Sequence, residues 1–581
     1  MTPVVSVVAA EKGDGHVFSC CGRAVSRGQI AARGIPNALR PNVRRDSQAL
    51  HRRKEPQISF SFDLIEMPFI PCTTVDGQAV ELGLRDVLLK AHEIADLRDG
   101  SPLVTGALHR ILLAILHRSY AGPKTLTQRV EIYKAGRFDG DSIGRYFTKW
   151  ADRFDLFHDK YPFYQRAGFA TREPSGINRL SQELARGNNA ALFDHTTDEP
   201  PPARTPAQAA RLVIAEQAFA VGGGRSDTGN TTHAPLVCAA VVIVRGGTLF
   251  ETLWLSLSLF DGEQKPVPSD ETDSPAWERP SAEPHKESAS PRGCIDYLTW
   301  QSRTLRLHPE KVAGQVLVSR VSYAQGRRLQ TGPGFYDPMM AYYRREEADP
   351  FQPVRFNEFR DLWRDSAALF QVSEQHQKYD RAPTCLHSLA APGLRETLPS
   401  SARYRLSVYG LCTDQAKVMF WRHETLPLPL AYLANAELVE RLKQALGLAE
   451  EAAKVLRRAA WVTAANRLTP RSDMKPDSDR VRAVVDSFAP ERFYWSLLEL
   501  PFRELLVALA SDGADLAGRL NGWYWDTLRP TARGAFDRSV GRIDAARDLK
   551  AVNAGRGFLY SRLNKLGQDY SIPTPKKAGP T

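Results

Sequence analysis

The change of hydrophobic period near residue 430 is the feature that most limits how this chain can fold. Upstream, residues 403–421 alternate between apolar and polar side chains, which is the period of half-buried strands, and residues 410–416 would connect two of them. Downstream, from about Glu437, apolar residues recur three or four positions apart, as in consecutive helices. This spacing predicts helices over 437–467, 478–487, 490–511 and 533–567.

This change of period predicts an α+β protein, with a large mixed N-terminal domain followed by an all-α C-terminal four-helix bundle. We place the mixed domain at 58–430 and the bundle at 431–581. Acidic residues within the helical segments, such as Glu440 and Glu450, are expected to form a solvated face.

Residues 1–57 lack a sustained period and mix Arg, Gly, Ser, Pro and Gln, so we predict a disordered N-terminal extension. A mis-assigned translation start would look the same. No basic flank followed by an apolar core of signal-peptide length is present near the N-terminus, and the predicted location is cytoplasmic.

Three consecutive glycines interrupt the N-terminal domain. Thr205 followed by Pro206 predicts the start of a helix that runs to about Ala220, where Gly222, Gly223 and Gly224 would stop it. A buried strand is expected over 235–244. From the pattern alone, the glycines fit a helix C-cap and a flexible turn.

The net charge of +11 permits binding to nucleic acid but does not argue strongly for it. Residues 1–57 hold ten Lys or Arg and four acidic residues, so about half of the excess lies in the predicted extension. Only a mild positive excess is left for the folded body.

Several common catalytic and metal-binding patterns are absent from the sequence. There is no Gly-Lys-Ser/Thr tripeptide for a phosphate-binding loop and no His-Glu-x-x-His motif among the thirteen histidines. The seven cysteines include no Cys-x-x-Cys pair, which disfavours a zinc site and a disulfide framework. We therefore predict a protein that is not an enzyme, with no catalytic residue, no metal site and no cofactor.

Six segments resemble, in order, those of the CasA family, and together they span about residues 58–430, with the helical bundle following. Each segment alone has low specificity for the family, whereas six segments in the same order are far more specific. The segments are Phe62–Pro71, Phe157–Gln165, Asn189–His195, Gly247–Leu253, Leu298–Arg306 and Asp337–Tyr342.

The resemblance implies the large, DNA-binding subunit of a type I-E CRISPR RNA-guided complex, Cascade, which serves antiviral defence. Such a subunit would recognise the protospacer-adjacent motif, seed strand opening and R-loop formation, and help to recruit a helicase-nuclease. The implied partners are double-stranded target DNA, the other subunits of the complex and that helicase-nuclease, with no membrane. Strand opening must start at the protein because the guide pairs only with bases that are already exposed.

The resemblance also implies which residues contact the motif. The family approaches the minor groove with a glycine-rich loop, and Gly222, Gly223 and Gly224 match it. Backbone without Cβ atoms can come close to the base edges of a narrow groove.

The family separates the strands with a glutamine at a hairpin tip, which corresponds here to Gln415, followed by Ala416 and Lys417. Without the resemblance, Gln415 would read as an ordinary turn residue. Lys417 would contact phosphate or be a solvated strand lysine.

Two further groups are candidate contacts. Residues 189–194 resemble a loop that touches nucleic acid and a neighbouring subunit, through Asn189, Leu192, Phe193 and Asp194, although core packing is an equal alternative for Leu192 and Phe193. The last helical segment is basic, and the phosphate contacts proposed there are Arg538, Arg542 and Lys550, with a solvated face as the alternative.

Two other functions compete with this interpretation. One is a metal-dependent nuclease that uses scattered acidic residues, and the other is a stand-alone DNA-binding module. No lysine that reaches the motif is identified near 337–342, and neither Arg344 nor Arg345 is a justified choice.

Overall fold

The computed structural model describes residues 59–184, 202–226, 229–237, 239–258, 272–280, 288–330, 335–372, 379–399, 402–414, 416–469, 476–511, 513–541, 545–570 and 572. The strands are β1 (Ile70–Thr74), β2 (Ala79–Leu82), β3 (Ile94–Leu97), β4 (Ser175–Gly176), β5 (Arg225–Ser226), β6 (Gly229–Asn230), β7 (Val241–Arg245), β8 (Ser288–Ala289), β9 (Arg303–Val312), β10 (Gln315–Gln325), β11 (Arg328–Leu329), β12 (Tyr342–Tyr343), β13 (Gln352–Pro353), β14 (Asp380–Arg381), β15 (Tyr404–Asp414) and β16 (Lys417–Leu428).

The helices are α1 (Leu84–Leu89), α2 (Pro102–Tyr120), α3 (Leu126–Lys134), α4 (Gly140–Lys149), α5 (Pro206–Phe219), α6 (Leu249–Ser256), α7 (Cys294–Leu298), α8 (Ser366–Phe370), α9 (Thr384–Ala390), α10 (Pro392–Arg395), α11 (Ala431–Ala434), α12 (Ala436–Leu468), α13 (Ser478–Phe488), α14 (Pro490–Leu509), α15 (Leu516–Gly522), α16 (Arg529–Val540) and α17 (Ala545–Asp569). The predicted fold class is confirmed, since mixed helices and strands are followed by a helical region after Leu428. The exact domain boundaries remain a prediction.

Helix α2 is the central helix of the N-terminal body. The Ser101 side chain accepts a hydrogen bond from the Val104 amide, and Pro102 occupies the first turn, so the sequence specifies where the helix starts. Every residue from Leu103 to His117 is buried, because α2 packs against α4, α5, α7 and β15 at once.

The sheet with strand order β16-β15-β7 carries a long hairpin. β15 and β16 pair in antiparallel register from Tyr404 opposite Leu428 to Asp414 opposite Lys417. The predicted connection over 410–416 is therefore wrong, because β15 continues to Asp414 and only two residues link the strands. A link of this length makes a tight hairpin turn.

The predicted strand over 235–244 is also shorter than expected. β7 starts only at Val241, although Leu236 and Ala240 are buried. The Leu236 amide donates to Ala218 O and the Ala240 amide to Val354 O, so the first half of this apolar run is a buried loop. A short apolar run does not distinguish the two cases.

Four long helices, α12, α14, α16 and α17, pack against one another in the C-terminal region. The prediction of one helix over 533–567 is wrong, since α16 ends at Val540 and α17 starts at Ala545. Buried Val540 and Ala551 are about three helical turns apart in sequence, so the apolar spacing stays in phase across the break and does not reveal it. Across the described residues, no helix is both long and apolar enough to cross a bilayer.

Glu450 connects the helical region to the N-terminal body, and its predicted place on a solvated face is wrong. Its carboxylate accepts hydrogen bonds from Arg360 and Arg364, each at 2.8 Å. Beside this pair, the Trp363 ring packs 4.5 Å from the Phe502 ring of α14, measured between centroids. Charged and aromatic contacts thus fix α12 and α14 to the segment that follows β13.

We predict that Glu450→Ala weakens this junction by about 2 kcal/mol, because Arg364, which is largely buried, loses its carboxylate partner. Thermal unfolding should show a lower Tm. The matched control is Glu451→Ala on the same helix, whose partner Lys454 is mostly exposed, and it should change stability by no more than about 0.5 kcal/mol. Equal effects of the two variants would contradict the assignment.

Candidate functional site

The three glycines form one limb of a narrow hairpin. α5 ends at Phe219 with Ala220 as an extended C-cap, so the glycines do not cap the helix. The Gly223 amide donates to Thr231 O at 2.8 Å, and the Thr231 amide donates to Gly224 O at 2.9 Å. The short strands β5 and β6 then extend the pairing. We call residues 222–231 the glycine hairpin.

Gly223 touches the turn of the β15–β16 hairpin. A Cβ atom on Gly223 would lie 2.6 Å from the Ala416 Cβ, which is closer than two carbon atoms can pack. Gly223 also has a φ of +102°, a conformation that side chains disfavour. Glycine is required at this position both by the backbone conformation and by the contact, and two elements 193 positions apart in the chain meet there.

The base of the glycine hairpin is fastened by Arg303, which is fully buried. Its guanidinium donates to Ala220 O at 3.1 Å, Val221 O at 3.3 Å and Thr232 O at 2.8 Å. The Arg303 side chain thereby connects the residues before the hairpin, Ala220 and Val221, to the residue after it, Thr232.

A buried carboxylate balances this cation through a tyrosine. Arg303 Nε donates to Tyr323 Oη at 2.6 Å, and Tyr323 Oη donates to Glu216 Oε1 at 2.8 Å. Gln182 Nε2 donates to the other Glu216 oxygen at 2.6 Å. A buried charge is tolerated only when it is paired and hydrogen-bonded, and this relay supplies both conditions.

Two further side chains hold the hairpin's backbone amides. Gln325 Oε1 accepts from the Thr232 amide at 2.7 Å, and His233 Nδ1 accepts from the Gly222 amide at 3.0 Å. Burial, and then the charges of Arg303 and Arg355, lower the pKa of His233. A neutral ring can accept at Nδ1, so the low pKa agrees with the observed hydrogen bond.

These anchoring residues were not predicted from the sequence. Arg303 lies within Leu298–Arg306, one of the segments that carry the resemblance, but an arginine in a strand pattern gives no sign of its distant partners. The sequence pointed to Arg303 only through the resemblance of the Leu298–Arg306 segment to the family.

Some predicted site residues lie outside the described residues, and the structure gives no information on them: Gln415, Asn189, Leu192, Phe193, Asp194 and Arg542. The structure does place Ala416 and half-buried Lys417 at the hairpin turn, opposite Asp414. Arg344 packs over the Phe351 ring.

The residues of the predicted basic face fall into two groups: some are exposed, and others contact side chains of the bundle itself. Arg538 on α16 and Lys550 on α17 are exposed, and the Arg538 guanidinium also lies 5.7 Å from the Phe493 ring centroid. By contrast, Arg533 stacks 4.1 Å from the Tyr560 ring centroid, and Arg556 pairs with Asp537 at 2.8 Å. Part of the basic excess therefore stabilises the bundle itself.

Residues 140–144, Gly-Asp-Ser-Ile-Gly, have the spacing of a serine-hydrolase nucleophile elbow. That motif acts on a sharp turn between a strand and a helix. Here the segment forms the first turn of α4, capped by Asp139, and no strand leads into it in the described chain. Within the described ranges, no three His, Cys, Asp or Glu side chains cluster in a way that could hold a metal ion.

Residues 63–535 match the family model of CRISPR-associated protein Cse1. The chain belongs to the Cse1 family. The predicted resemblance is confirmed, since CasA and Cse1 are two names of one family, and the match extends beyond the expected 58–430 into the helical region.

Individual Cse1 proteins agree with this membership. CasA/Cse1 of Thermus thermophilus is 33% identical over 527 residues, which cover 87% of this chain and 98% of the relative. The solved structure of Thermus thermophilus CasA (Cse1) has a TM-score of 0.74 at 29% identity, covering 87% of this chain and 99% of the other. A chain of a solved CRISPR RNA-guided surveillance complex has a TM-score of 0.69 at 25% identity, covering 86% of this chain and 99% of the other.

We predict that Gly223→Ala disturbs the glycine hairpin and that Ala416→Gly partly rescues it. The single change introduces both the Cβ contact and about 1–2 kcal/mol of backbone strain, and the second change removes only the contact. Hydrogen exchange over 220–233 should be faster in Gly223→Ala than in the double variant, with a coupling energy of roughly 1 kcal/mol or more. Purely additive effects would show that the two residues do not touch.

Proposed function

We propose that this chain is the DNA-binding large subunit of a type I-E CRISPR RNA-guided surveillance complex. In this role it recognises the protospacer-adjacent motif, seeds strand opening and R-loop formation, and helps to recruit a helicase-nuclease. The observation that carries the proposal is the contact between Gly223 and Ala416, because a groove-binding loop and a strand-separating tip must engage the same few base pairs. Membership of the Cse1 family and the likeness to a chain of a surveillance complex support it.

The glycine hairpin has the shape that groove binding requires. Gly224 is exposed, and apart from its chain neighbours no atom of the described residues would lie closer to a Cβ atom there than Thr231 Oγ1 at 3.7 Å. The minor groove is only about 6 Å wide, and a backbone without side chains can enter it where a bulkier residue would not.

The β15–β16 hairpin can act as a rigid wedge. β15 pairs with β16 along its length and with β7 over Arg405–Tyr409, and most of its residues are buried. The base of the hairpin is therefore anchored in the sheet, which fixes the position from which the turn projects. Separating one stacked base-pair step costs about 1.4 kcal/mol, which a few protein contacts can offset.

We further propose that the chain itself catalyses no reaction and that DNA cleavage belongs to the recruited enzyme. The competing possibility of a metal-dependent nuclease is tested by incubating the purified chain with duplex DNA and Mg²⁺. The duplex should stay intact, and cleavage that one acid-to-alanine change abolishes would overturn the proposal.

Gly224→Ala should weaken DNA binding without changing the stability of the fold. Because the added Cβ has room in the free protein, the Tm should be unchanged. Against a duplex groove the same methyl group is in the way, so the assembled complex should bind motif-containing duplex about tenfold more weakly. Unchanged affinity would show that the duplex groove does not approach Gly224.

Gln415→Ala should slow strand opening and leave initial duplex binding largely intact. If the Gln415 side chain compensates for the loss of one stacked base-pair step, its removal should make strand opening about tenfold slower. The opening rate is measured in the assembled complex with a fluorescent base beside the motif. Gln78→Ala, in the turn between β1 and β2, is the control and should open DNA at the normal rate. Normal opening kinetics in Gln415→Ala would reject the wedge.

A further inference from the structure

An exposed arginine lies beside the glycine hairpin, on the segment that follows β13. Val354 donates to Ala341 O at 2.8 Å and accepts from the Ala240 amide at 3.0 Å, and both Val354 and Phe356 are buried. Arg355 lies between them and is exposed, as the alternation of extended backbone requires. Its main chain is thus held in place on both sides.

The Phe356 ring connects this segment to the β15–β16 hairpin. A Cβ atom on Gly410 of β15 would lie 3.0 Å from two atoms of the ring, so the ring packs directly on the strand. On the other side, the charge of Arg355 acts on His233, whose ring binds the Gly222 amide. Arg355 therefore lies on the side of the N-terminal body that carries the base of the glycine hairpin, and its neighbour Phe356 packs on β15 at Gly410.

Other arginines around the site already have partners in the protein. Arg303 binds four carbonyl groups, Arg328 donates to Asn230 O at 2.8 Å, and Arg422 pairs with Glu424 at 3.0 Å. For Arg355, no ion pair, hydrogen bond or ring contact of the guanidinium exists with any residue that the structure describes. An exposed guanidinium on a fixed backbone is available to an external anion.

We infer that Arg355 binds a backbone phosphate of the duplex next to the groove that the glycine hairpin enters. The inference rests on the proposed function and adds a positioning contact to it. A guanidinium binds phosphate oxygens through two parallel hydrogen bonds, and phosphate contacts fix the register of a protein on DNA without reading its sequence. Arg355 would hold the duplex in place while the glycine hairpin reads the motif and the β15–β16 hairpin separates the strands.

The test measures how the affinity of the assembled complex for target duplex depends on salt. Each phosphate contact contributes about 0.9 to the slope of log affinity against log salt concentration. When salt is raised from about 50 to about 200 mM, the affinity of both proteins should fall, and the fall should be roughly threefold smaller for Arg355→Ala than for the unmodified protein. The weakening should be the same for duplexes with a correct and an altered motif.

Two further variants make the result specific. Arg355→Lys keeps the charge and should retain most of the salt dependence. Arg137→Ala removes another exposed arginine, between α3 and α4, and should behave like the unmodified protein.

The failure of this inference is distinguishable from the failure of the proposed function. If the unmodified complex prefers the motif but Arg355→Ala has the same salt slope, only the role of Arg355 is wrong. If the unmodified complex shows no motif preference, the proposed function fails. If Arg355→Ala prevents assembly of the complex, Arg355 binds an acidic partner protein and the inference is overturned.

Discussion

The buried guanidinium of Arg303 is the interaction on which the geometry of the candidate site depends. It binds the main-chain carbonyl groups of Ala220, Val221 and Thr232, which flank the glycine hairpin on both sides, and Tyr323 and Glu216 compensate its charge. A buried cation that loses its partners costs several kcal/mol, so these contacts form together or not at all. The hairpin is consequently built into the core of the N-terminal body, and Gly223 can be kept in contact with Ala416.

Local signals in the sequence predicted the elements that depend on neighbouring residues. Thr205 followed by Pro206 predicted the start of α5, which begins at Pro206 with Thr205 as its N-cap. The alternation after Arg403 correctly indicated paired strands. These features are determined within a few residues, so the sequence alone is sufficient to predict them.

The features that the sequence did not predict depend on contacts between distant residues. Arg303 meets Ala220 across 83 positions, and Arg360 meets Glu450 across 90. Neither pair leaves a local pattern, and the apolar period runs unbroken through the end of α16. The resemblance to a family, rather than periodicity, identified the glycine hairpin and the β15–β16 turn as parts of one site.

The shortness of the β15–β16 turn limits how such a site can evolve. Gln415 and Ala416 are the whole link between two strands that are paired up to Asp414 and Lys417. Deleting one residue there, or inserting one that a longer turn does not take up, would shift the pairing register and turn the following side chains to the opposite face of the sheet. The residues of the tip can therefore be exchanged one for another, whereas the length of the tip is held constant by the pairing of β15 with β16.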